Sequence, residues 1–248
     1  MRKSMLLFVL AASLFSAAPL FALRTNGNTV ILPVIGRFPG TGGTQWRTDV
    51  FIHNPYTPGQ VVTLKYYPTG AAMMQTTVTL QEYSGATLND IILNTFGLTT
   101  SAGVLEVAGQ EVMARARIYN TGNPAGQFAQ GVPGIERTRL GRQALLHGIT
   151  GIGGSRVNVG VANPNDVPID VGFRVASVSN TTLYSQTVTV PPHSYVQFSD
   201  IFNAFGIPPQ ENVNVQFNTF EFPLYGYSSE VRNDTGDAVF NFGTSPNA

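Results

Sequence analysis

From Arg47 to His53 the chain alternates. Thr48, Val50 and Ile52 fall on one side of an extended backbone, and Arg47, Asp49, Phe51 and His53 on the other. The alternation returns at Val157, Val159 and Val161. Side chains of a strand point to opposite faces in turn, so each segment is predicted to be a strand with one β-branched, buried face and one mixed, open face. The next segments behave alike. Val62, Leu64 and Tyr66 match Val171, Phe173 and Val175 on the inner side, while Lys65 matches Arg174 outside. Val78 and Leu80, then Val188 and Val190, continue inward between outward threonines. Further strands are predicted at 103–107 and 112–119, and at 213–217 and 224–231. One short helix recurs, at 89–97 and 199–206. Each has an apolar face and a terminal glycine, and Asp90 and Asp200 read as capping residues rather than catalysts.

These matches form one long repeat. Arg47 through Pro55 aligns without a gap on Arg156 through Pro164, Thr77 through Leu80 and Asp90 align on Thr187 through Val190 and Asp200 after a one-residue slip, and Phe96-Gly97 then aligns on Phe205-Gly206. A period of roughly 110 residues fits one small domain rather than a solenoid unit. The repeated Asn54-Pro55 and Asn163-Pro164 read as turns, because proline cannot join a ladder and asparagine can bond local backbone. The expected organisation is 1–22 as a signal peptide and 23–122 as the first β-sandwich. Residues 123–142 follow as a linker or terminal strand, and 143–248 as the second sandwich. The fold class is all-β: two tandem immunoglobulin-like antiparallel sandwiches, each with one short helix.

Composition adds a destination. Arg2 and Lys3 precede an apolar run over 5–18, and Ala22 reads as the last residue removed on export, with Ala18 the alternative. The run is short for the ~20 residues of a membrane span. The chain has no cysteine, so no disulfide and no lipid-anchoring thiol is available, which favours a bacterial exported protein. Losing residues 1–22 takes the 14 basic side chains to 12 against 14 acidic ones. No basic stripe exists, which argues against nucleic acid.

Chemistry is sparse. His53, His147 and His193 have no metal-ligand partner at close spacing, so no metal and no cofactor is expected. Asn163, Asn165, Asp166 and Asp170, or Asn233, Asp234 and Asp237, offer oxygens that suit either calcium or ordinary turns. No serine or cysteine nucleophile is indicated beside Asp49 and His53, and no catalytic residue is assigned. Trp46, Phe51 and Tyr67 are expected on or beside the outer face of the first domain. Exposed aromatics there would anchor a protein or stack on sugar; the competing reading packs them on the linker or second domain. The candidate binding set is Trp46, Asp49, Phe51, His53 and Tyr67.

Trp46-Arg47-Thr48-Asp49-Val50, Asn54-Pro55, Tyr119-Asn120 and Gly126-Gln127-Phe128 resemble a pattern in uncharacterised exported bacterial proteins with tandem immunoglobulin-like modules. The second repeat departs from it: Ser155 stands for Trp46 and Asn158 for Asp49. The resemblance implies no established activity. The expected function is an exported, non-catalytic structural or protein-binding module of the cell envelope. The chain would be secreted, periplasmic or at the cell surface, with no membrane span after cleavage. Its partner would be an envelope protein or a surface glycan. The alternatives are a carbohydrate-binding module using Trp46 and nearby aromatics, and a hydrolase with an unrecognised site.

Overall fold

A computed structural model describes residues 26–122 and 128–245. The expected signal peptide, the first residues after it and residues 123–127 of the expected linker lie outside the described residues. Among those described, the protein is all-β with antiparallel sheets and two short helices.

The first half runs through β1 (Asn26–Pro39), β2 (Gln45–His53), β3 (Gln60–Pro68), β4 (Met74–Leu80), β5 (Gly85–Leu88), α1 (Ile91–Asn94), β6 (Ser101–Asn120), β7 (Phe128–Pro133) and β8 (Ile135–Glu136). The two strands expected at 103–107 and 112–119 are one. β6 bends at Glu111, whose φ is 50°, and serves two sets of neighbours. Its first part pairs with β3, its last part with β2 and β7. β1 is likewise shared, pairing with β6 and β8 and, at its end, with β2. The outcome is one eight-stranded sheet curled nearly into a barrel, not two separate layers.

The second half contains β9 (Gln143–Ile149), β10 (Ser155–Asn163), β11 (Ile169–Ala176), β12 (Thr182–Val190), β13 (Ser194–Phe198), α2 (Ile201–Ala204), β14 (Val213–Asn218), β15 (Tyr225–Arg232) and β16 (Ala238–Phe242). These form two four-stranded sheets, ordered β13-β10-β15-β16 and β12-β11-β14-β9. Here a loop at 219–224 separates β14 from β15, where β6 is continuous in the first half.

The alternating positions bury the expected faces. Thr48, Val50, Ile52, Val62, Leu64 and Tyr66 are buried, as are Val157, Val159, Val161, Val171, Phe173 and Val175. Each large apolar side chain so buried stabilises the fold by about 1.5–3 kcal/mol before entropy is counted. One core cluster lies wholly within 144–224. The other joins the first half to Ala162, Tyr225, Tyr227, Val231 and Ala238. The face of β10 and β15 turned away from the second half's own core therefore packs on the first half. Polar bonds cross the same seam. The Tyr225 hydroxyl donates to the Pro133 carbonyl at 2.7 Å, and Ser229 Oγ donates to Gln130 Oε1 at 2.9 Å.

The helix starts differ from expectation. Asp90 and Asp200 precede α1 and α2 with φ of 41° and 48°, and neither side chain makes a capping bond. Instead their own N–H groups are held from a neighbouring strand. Asp90 N–H donates to Asp49 Oδ1 at 2.9 Å, and Asp200 N–H to Asn158 Oδ1 at 3.1 Å. Asp and Asn are both acceptors, so the exchange between halves preserves the bond. Gly97 and Gly206 end the helices at φ of 71° and 64°. The bonds Leu98 N–H to Ile92 O and Ile207 N–H to Phe202 O close them. Asn54 and Asn163 are buried and tie their turns together. Asn54 Nδ2 donates to Pro58 O and Gln81 O, and Asn163 Nδ2 to Val167 O and Val190 O.

Candidate functional site

The five candidate residues do not form one site. Trp46 is only 7% exposed, which overturns its placement on the outer face. It has the parity of Thr48 and Val50 along β2, so its side chain turns inward. It lines a cavity of about 70 Å³ with Val34, Ile118, Tyr227, Val231 and Phe240, at the seam between the halves.

Asp49 points to the outer side but is also only 7% exposed. Beyond its bond to Asp90 N–H, its other oxygen lies 3.7 Å from Arg117 Nη1. Burial and the Asp49 carboxylate push the Tyr119 phenol up. Next to it, Asp90 pairs with Arg37 and lies 3.7 Å from Arg47 Nε. Asp49 therefore anchors the start of α1 within a charged network and is not available to a ligand.

Tyr67 lies at the junction of the halves. Its ring stacks on His193 with centroids 4.2 Å apart and planes 7° from parallel. His193 Nε2 is 2.8 Å from Asp166 Oδ1. Burial, with Glu106 and Asp166 nearby, pushes the Tyr67 phenol up to about 12. The Asp166 carboxyl is held below its ordinary range by the His193 bond. Two of the oxygens weighed for calcium already have partners here: Asp166 Oδ1 pairs with His193, and Asn163 Oδ1 accepts from the N–H and side-chain amide of Asn165. Among the described residues, no group of three or more His, Cys, Asp or Glu side chains is placed to hold a metal ion.

Phe51 and His53 do come together, in an open groove of about 520 Å³ on the outer face of β2, β6 and β7. Strand register builds it. Phe51 lies opposite Arg115, His53 opposite Met113, Arg115 opposite Pro133, and Arg117 opposite Gly131. Directly opposed residues share a face, so these side chains converge. The Arg115 guanidinium carbon sits 4.9 Å from the centre of the Phe51 ring, a cation–π contact. Gly131 leaves the floor bare: a Cβ there would meet nothing within 4 Å. The Tyr225 hydroxyl braces the far wall through Pro133. Among the described residues the lining is apolar apart from one guanidinium and one imidazole, and includes no carboxylate, hydroxyl or thiol. Its volume lies within the ~300–1,000 Å³ of ordinary ligand sites.

Met113, Arg115, Gly131 and Pro133 were not among the sequence candidates. Arg115 alternates with the buried Ala114 and Ala116, which is a readable sign that it points outward. Gly131 and Pro133 sit in the Gly- and Pro-rich stretch 123–142, expected to be a linker or terminal strand, and they belong to the strand β7.

No protein-family model matches the chain, and no curated protein does. Among solved structures, it is similar to a lectin from Pleurotus ostreatus in complex with GalNAc, at 11% identity and a TM-score of 0.22, covering 88% of this chain and 86% of that one. A β-glucuronidase from Parabacteroides merdae is matched at 10% identity and a TM-score of 0.18, over 89% of this chain and 34% of that one. Likenesses this slight carry no argument about either fold or function.

Proposed function

We propose that this chain is an exported, non-catalytic binding module of the bacterial cell envelope, and that it binds a protein partner through the Phe51–Arg115 groove. The observation that carries the reading is the groove's chemistry: an apolar, braced cleft with one cation and one imidazole at its rim, and no nucleophile or carboxylate among the described residues of its lining. Such a surface suits an apolar side chain flanked by an acidic one. Protein is favoured over glycan at this face because the three candidate aromatics have little free ring face. Arg115 covers Phe51, His193 covers Tyr67, and Trp46 is buried.

The test is a pull-down from the native envelope fraction with the mature chain and with Gly131→Tyr, alongside a glycan array. The variant fills the open floor without disturbing a positive-φ position. Capture of a protein by the native chain and its loss in Gly131→Tyr is the expected result. Equal capture by both, or specific glycan binding, overturns the reading.

A further inference from the structure

The groove has a complement on the same molecule. Phe220, in the loop between β14 and β15, is 89% exposed, more than any other large apolar residue among those described. Single exposed apolar residues are common on surfaces. This one differs in how it is held. Arg142 Nη1 donates to the Phe220 carbonyl at 3.1 Å, and Thr219 N–H donates to the Arg142 carbonyl at 2.9 Å. On the other side, Phe222 packs against the second core. The ring is thus presented to solvent by a loop pinned at both ends, so ordering it on contact costs little. The residue after it is Glu221.

We infer that the groove's occupant is a second copy of this chain, with Phe220 inserted over the bare Gly131 floor and Glu221 paired with Arg115. This rests on the reading of the groove as a binding surface and names its partner. The charges fit: the groove rim carries Arg115, and Glu221 follows Phe220 in the donor loop. The size fits, since about 520 Å³ readily admits one aromatic side chain. Donor and acceptor are different patches, and each copy has one of each. The contact is therefore either reciprocated in a closed pair or passed from copy to copy. Burying an aromatic anchor in a water-excluding cleft supplies the affinity, and the Glu221–Arg115 pair supplies register and salt dependence.

Sedimentation velocity of the mature full-length chain across a concentration series is the test. Wild type is expected to associate with rising concentration, less so at high salt. Phe220→Ser and Gly131→Tyr should each weaken association about 30-fold or more, the loss typical of an interface anchor. Mixing the two variants should restore a two-chain species, because one keeps its groove and the other its Phe220. Glu221→Arg should weaken association, and the pair Glu221→Arg with Arg115→Glu should recover it. A wild type that stays monomeric throughout, or a Phe220→Ser variant that associates as wild type does, overturns the inference. If wild type is monomeric yet Gly131→Tyr still loses a captured envelope protein, self-pairing falls and the groove reading stands. If Gly131→Tyr changes neither measurement, both fall.

Discussion

Tyr67 of the first half and His193 of the second stack face to face, 4.2 Å between centroids and 7° from parallel. His193 holds a φ of 48° and is bonded to Asp166, so its ring is fixed from two directions. The stack joins the rim of one half to a turn of the other, outside the buried seam that Tyr225, Tyr227 and Val231 form.

A double-mutant cycle on this pair should therefore show coupling. Tyr67→Ala and His193→Asn are suitable, since Asn tolerates a positive φ. Stacked aromatic pairs are worth about 0.5–1.5 kcal/mol beyond their burial, and a coupling energy in that range is expected from denaturant unfolding. Strict additivity would mean the two rings touch without stabilising the junction.

Trp46→Ala should act on stability. A buried aromatic truncated in a packed seam costs about 3–5 kcal/mol. Trp46 is the single tryptophan, so native fluorescence reports this site alone among tryptophans. The expected signal is blue-shifted emission, shielded from quenchers, with a large fall in Tm for the variant. Red-shifted, readily quenched emission would contradict the placement.

Stability should fall at alkaline pH. Burial pushes the Tyr66 and Tyr67 phenols up to about 12, and Tyr225 and Tyr227 are also driven up by burial. An unfolded tyrosine titrates near about 10. Below that pH both states keep their protons and the stability is fully present. As pH rises from about 10 through about 12, the unfolded chain gives up protons that the folded chain retains, and stability is lost. Denaturant midpoints measured across that interval should decline together with delayed phenolate absorbance. Midpoints flat across it would sink the assignment.

Gly97→Val and Gly206→Val should each cost about 1 kcal/mol or more. A Cβ at either position would meet nothing within 4 Å, so the cost is purely that of a β-branched residue at φ near 64–71°. Thermal melting checks it, and unchanged Tm in both would remove the helix-terminating role.

Residues 143–248 alone should still melt cooperatively, but at a lower Tm than the whole chain. That half has its own core cluster, while Tyr225, Tyr227 and Val231 lose their cover. Circular dichroism of the isolated segment decides between this and a disordered chain.

Much of the fold was legible. The alternation at β2, β3, β10 and β11, the asparagine-proline turns and the helix-ending glycines all follow from local rules, which act within a few residues. The candidate site was not. Phe51 and His53 were readable as outward, but their neighbours Arg115 and Pro133 are supplied by register between β2, β6 and β7. Such pairing depends on contacts distant in sequence.

Trp46 and β15 show where the division lies. Trp46 shares the parity of Thr48 and Val50, yet its lack of a bulky counterpart at Ser155 points to a surface role. In β15 the large side chains Tyr225, Tyr227 and Val231 turn away from the second half's own core. Gly226 faces it instead: a Cβ there would lie 2.6 Å from Ala144 Cβ and 3.0 Å from the Phe217 ring. Alternation along a strand determines that two faces exist and which residues share each. It carries no information on what lies opposite, so only the docking of one half on the other decided that these faces are seams and that the Phe51–Arg115 face stays open.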